Sequence, residues 1–302
     1  MNTQRPRNLA EQIVEATGGN LSVARWEHTP TRVGLDDDES ALLAIQNRIL
    51  HPQNDDPQIL RQVAVELAGL LPEGQPSKGL PALWELFISL AQQTPSSNIA
   101  MLDLVVILDH LSLCPKTMAV VNVDGFEQLS RLHGLDRQIR DCMLSPREST
   151  DTEETLSRWI SLNAFAALLW SYNLVDGSTF AIQQLRSAFE DRHSSDADEQ
   201  ECADARLMAA AQWAIRSCQR LYHLSVTSDA TSPGDAVGGR EDKRWMPGAR
   251  FRGRAGFSFK RWEFWQQGFE EAHELGSGGI EAKVEAGAAS GLMAKVLYAG
   301  FD

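Results

Sequence analysis

Apolar residues recur along the chain at intervals of three and four, the spacing of one face of a helix, and no convincing strand alternation appears. A short helix is expected over about 7–17, followed by a polar connection. In "DDDESALLAIQNRIL" (36–50) acids precede a stripe at Leu42, Ile45 and Ile49. That order suits a helix, whose N-terminus favours negative charge. Residues 57–71 open on Pro57, tolerated in a first turn, and carry Leu60, Val63 or Ala64, Leu67 and Leu71. Leu80, Leu83, Trp84, Phe87, Leu90 and Ala91 mark a third helix over 79–95. Residues 97–113 are apolar nearly all round and are expected to lie centrally, ended by Pro115. Residues 124–142 carry a weaker helical pattern.

In the second half, "LSRWISLNAFAALLWSYNL" (156–174) is apolar over most of its circumference and is preceded by acids. Gly177 breaks the chain and Ser178 is placed to cap a helix running to about 192. A single long helix is expected over 199–223, about 37 Å at 1.5 Å per residue. Residues 225–256 hold six glycines, two prolines and three serines and predict a mobile loop. A small-residue helix suited to close packing closes the chain at 278–300. The expected fold is therefore all-α, an irregular bundle of about ten helices without a regular repeat. A loosely attached segment covers 1–35, and one helical domain with its mobile loop covers 36–302.

"SFKRWEFWQQGF" (258–269) interrupts this uniform picture with five aromatic rings in twelve residues. Ser258 is a good N-cap. Phe257 and Trp262 then occupy the two positions that form a hydrophobic staple. Trp262, Trp265, Phe269 and Ala272 fall on one helical face, while Lys260, Arg261 and Glu263 need not leave water. The stretch is expected to dock on the core as an amphipathic helix. A stacking platform for nucleic acid would interleave basic residues with exposed rings, and the following "EEAHE" opposes it.

Charge narrows the partners further. The formal net charge of −13 argues against nucleic acid and anionic membranes, where clustered Lys and Arg are needed. Residues 240–261 are the exception, with eight Lys/Arg against two acids, and they leave transient membrane contact open. Stable membrane insertion is not expected, because the most apolar stretch (99–113) is short and interrupted by Asp103, Asp109 and His110. The N-terminus lacks the apolar core of a secretory signal, and the four cysteines form no dense framework, so a cytoplasmic or nuclear location is expected.

No metal or cofactor is expected. His110 and Cys114 are spaced i, i+4, but nothing nearby completes a site, and Cys218 with His223 fits less well. "DDDES" (36–40) superficially resembles the Asp-rich magnesium motifs of terpene cyclases, yet Ser40 breaks the spacing. Neither a phosphate loop nor a nucleophile elbow occurs. Three polar residues inside apolar helices remain as candidate cleft or binding residues: Asp103, His110 and Asn163. The first two lie on one side of a helix, about 10 Å apart along its axis. They either line a shared polar cleft or mark that helix's narrow wet edge.

Trp159, Leu162, Asn163, Ala164 and Phe165 form one motif, and Leu185, Arg186, Ala188, Phe189 and Glu190 a second. Arg261, Trp262, Phe264 and Trp265 form a third. Together, over about 80–299, they resemble a family of filamentous-fungal proteins defined only as a domain of unknown function. The resemblance implies an all-helical fold and a fungal source, and supplies no activity or catalytic residue. The expected function is an intracellular interaction or ligand-binding protein, taking an unknown protein or small apolar ligand. The alternative is an accessory enzyme or binding factor in fungal specialised metabolism.

Overall fold

The computed structural model describes residues 57–123, 125–143, 152–192, 197–230, 244–276 and 278–299. The helices expected at 7–17 and 36–50 and the 1–35 segment lie outside these. Ten α-helices and one β-hairpin occur among the described residues, in an irregular helical arrangement. By its contacts the chain divides into two compact units, 1–142 and 143–302.

In the first unit, α1 (Pro57–Leu70) and α2 (Leu80–Gln93) both pack on α3 (Ala100–Leu111). Helix α3 is central, as its near-continuous apolar surface predicts, and even its Asp103 is buried. Trp84 of α2 is buried and donates its indole N–H to the His133 carbonyl (2.9 Å), just ahead of α4 (Leu135–Cys142). After α3 comes a 3₁₀ turn, Pro115–Thr117. Lys116 in this turn donates to the Leu71 carbonyl at 2.7 Å and pairs with Glu73 at 2.9 Å. Thr117 donates its hydroxyl to the carbonyls of Leu111 and Cys114. These bonds close the connections around the three-helix core.

The hairpin was not expected. Strands β1 (Ala119–Val123) and β2 (Phe126–Ser130) pair antiparallel, with Val120 opposite Leu129 and Val123 opposite Phe126. β-Branched residues favour the extended backbone, and Gly125, at φ 87°, supplies the left-handed turn residue. Alternation is missing because the strands bury almost nothing on either face. Helix α4 accordingly occupies only the last part of the 124–142 window.

The second unit is built on α5 (Glu153–Ser171), α6 (Ser178–Phe189), α7 (Ala197–Arg216), α8 (Cys218–Ala230), α9 (Phe259–Glu274) and α10 (Ile280–Ala299). Helix α5 starts where Thr152 accepts from the Thr155 N–H, and it is buried along most of its length against α7. Helix α7 also packs on α6 and α10, and α9 packs on α10. Gly177 permits the α5–α6 corner, since a Cβ there would stand 2.6 Å from the Trp213 ring and 2.8 Å from Trp170. The expected Ser178 cap is replaced: Gly177 takes the N-cap position, and Asp176 accepts from the Ser178 N–H.

Two further expectations change. The single helix over 199–223 is broken at Ser217. There the buried hydroxyl donates to the Ala167 carbonyl at 2.7 Å and ties the α7–α8 corner to α5. The expectation of a loop over 225–256 also changes at both of its ends. Residues 225–230 belong to α8, residues 231–243 lie outside the described part, and 244–257 pack on the core through Phe251 and Phe257.

Candidate functional site

Charge and aromatic side chains converge where α6 ends and α9 begins. Ser258 caps α9, its hydroxyl accepting from the Arg261 N–H at 3.2 Å. This sets the first turn so that Arg261 and Trp265, four residues apart, share the inward face. Arg261 is completely buried, which corrects the expectation that it stays in water; Lys260 and Glu263 do remain exposed. Its guanidinium grips Glu190, the residue after α6, in a bidentate pair: Nε to Oε1 at 2.7 Å and Nη2 to Oε2 at 2.9 Å.

The remaining polar capacity of this pair is also used. Arg261 Nη1 donates to the carbonyls of Gly256 (2.8 Å) and Trp245 (3.1 Å). Glu190 also accepts from the Trp265 indole N–H at 2.8 Å and from the Gly248 N–H at 2.8 Å. The guanidinium carbon stands 5.3 Å from the Trp265 ring centre and 5.7 Å from that of Phe251. A buried ion pair is tolerable when its remaining hydrogen-bonding groups are satisfied in this way. Removal of either partner strands a charge in the core. Because both side chains are fully buried, the pair organises structure and presents no reactive atom to solvent.

The pair also explains the order of 244–257. Every backbone group it recruits outside α6 and α9 belongs to that segment. Gly248 is required at its closest approach, since a Cβ would stand 2.6 Å from Glu190. The Phe257 ring packs on Trp245 and Trp265, whereas Trp262 meets Tyr222 of α8, so these ring contacts differ from the expected Phe257–Trp262 staple.

Beside this node lies a cleft of about 530 Å³, walled by α6, α7, α9 and the start of α10. Phe189, Leu207 and Phe264 supply apolar wall. Phe189 lies edge-on to Phe269, 4.6 Å between ring centres, and fits because position 268 is glycine. Four charged residues complete the lining: Asp204, Glu271, Arg250 and Lys283. Asp204 accepts from the Gly279 N–H at 2.7 Å, ahead of α10, and Glu271 accepts from Gln267 at 2.9 Å. Arg250 is anchored through its own N–H to the Glu190 carbonyl at 2.8 Å. The buried pair and the cleft rim are thus joined at one residue.

A second polar network links α7 to α10. Gln212 donates to Glu285 at 2.6 Å and accepts from Arg216 at 2.8 Å. Burial pushes the Glu285 carboxyl above its usual range, partly opposed by Arg216, and burial lowers the Arg216 guanidinium. Burial also pushes the Cys218 thiol up to about 12.

The three candidates from the sequence sit elsewhere. Asp103 (buried) and His110 (half-buried) lie on α3 of the first unit. Asn163 is fully enclosed in the second: its amide donates to the Trp159 carbonyl and accepts from the Trp213 indole, both at 2.9 Å. None of the three lines the cleft. Among the described residues, no group of three or more His, Cys, Asp or Glu is placed to hold a metal, and no helix is long and apolar enough to cross a membrane.

Sequence reasoning missed the Arg261–Glu190 pair, although both residues stood in the motifs carrying the family resemblance. The family described as "Protein of unknown function (DUF3632)" matches residues 84–269, a span that contains the buried pair and the 244–257 segment. No curated protein and no solved structure matches the chain.

Proposed function

The chain belongs to the DUF3632 family, and from that premise we propose that it is a non-catalytic binding protein whose ligand enters the cleft of the second unit. The supporting observation is the cleft itself. Its volume of about 530 Å³ lies within the range typical of small-molecule sites, and its apolar walls meet a few charged groups. The neighbouring Arg261–Glu190 pair makes the wall stiff, because α6, α9 and 244–257 share it. A rigid, preformed cleft lowers the ordering cost of binding.

Native mass spectrometry of freshly purified full-length chain tests this reading. A retained small molecule, lost when Leu207→Trp fills the cleft, is the expected result. Retention unaffected by that substitution places the ligand elsewhere and defeats the proposal. The four cysteines form no disulfide and two of them are buried, which supports a reducing compartment, so we place the protein in the cytoplasm or nucleus. The family resemblance supports a fungal source.

A further inference from the structure

The four charges around the cleft are not equivalent. The two acids are engaged within the protein: Asp204 at the start of α10, where the helix N-terminus offsets its charge, and Glu271 with Gln267. The two cations, Arg250 and Lys283, form no side-chain hydrogen bond or ion pair among the described residues. Arg250 is nevertheless held at the rim, since its backbone is fixed to Glu190. Lys283 is half-buried in the first turns of α10. Phe189, Leu207 and Phe264 line the same cleft.

We infer that the cleft takes an amphipathic monoanion, a carboxylate on an apolar body. The carboxylate meets Arg250 and Lys283, and the apolar body lies against Phe189, Leu207 and Phe264. This rests on the cleft being the binding site. The chemistry favours an anion because a ligand carboxylate gains charge-assisted bonds to uncommitted donors. A ligand ammonium gains less, because each carboxylate already accepts a bond within the protein, Asp204 from the Gly279 N–H ahead of a helix and Glu271 from Gln267. A neutral ligand would use the apolar wall alone.

Isothermal titration calorimetry on the full chain with octanoate, octanol and octylamine separates these cases. Octanoate should bind one per chain and more tightly than octanol by about tenfold, the factor that two partly exposed charge contacts supply. Octylamine should bind most weakly. The double variant R250A/K283A, checked for an unchanged melting temperature, should bring octanoate down to octanol. Equal binding of all three probes, abolished by Leu207→Trp, overturns the anion assignment and leaves the cleft as the binding site. Undiminished octanoate binding by the folded double variant also overturns it. Failure of every probe to bind overturns the anion assignment and the cleft reading together.

Discussion

Two non-helical segments, 119–130 in the first unit and 244–257 in the second, stand in opposite relations to their surroundings. The hairpin has β-forming composition but leaves Phe126 73%, Val120 64% and Leu129 57% exposed. Its strands pair only with each other, and a lone two-stranded hairpin contributes little stability in water. The 244–257 segment is rich in Gly and Arg, the composition of a solvated loop. Yet it buries Phe251 and Phe257 and donates or accepts four hydrogen bonds with one ion pair. Composition misjudges the burial of both segments. What decides burial is whether another part of the chain offers groups that the segment satisfies, and Glu190 and Arg261 do so only for the second.

The largest test of this contrast is Arg261→Ala. It leaves Glu190 buried without its partner and should destabilise the second unit by about 3–5 kcal/mol. Hydrogen exchange should accelerate first across 244–257 and leave 119–130 unchanged. The double variant E190A/R261A should cost less than the sum of the single changes, because the two residues act as one unit. Equal protection of 244–257 in the wild type and in Arg261→Ala would show that its aromatic contacts alone hold it. A smaller effect is expected from Ser258→Ala, which removes the α9 cap and should cost about 1 kcal/mol in denaturant unfolding. The smallest belongs to the hairpin. Changing Phe126 and Leu129 to Ser should shift stability by no more than about 0.5 kcal/mol, as for other surface positions. A large loss there would mean that those side chains are covered in solution, and the contrast would fail.

The helices were legible because burial of a helix leaves a period in the sequence. Leu60, Val63, Leu67 and Leu71 announce α1, and Trp262, Trp265 and Phe269 announce the inner face of α9. The hairpin was not legible, since strands exposed on both faces need no alternation. Arg261 was misplaced because reasoning from apolar spacing puts every charge in water. Its place beside Trp265 becomes favourable only once Glu190, 71 residues earlier in the chain, stands opposite. The same holds for Asn163, whose amide oxygen inside an apolar helix is satisfied by the Trp213 indole, 50 residues later in the chain.

By itself, then, the sequence determined the all-helical class, the position of most helices, the Ser258 cap and the family. All of these depend on residues close together in the chain, where spacing and backbone chemistry act directly. Only the tertiary structure decided which charges are buried, which Gly-rich segment is ordered, and where a cleft opens. Each of those depends on a partner distant in sequence, and the cost of desolvating a charge or a backbone N–H is set by whether that partner is present.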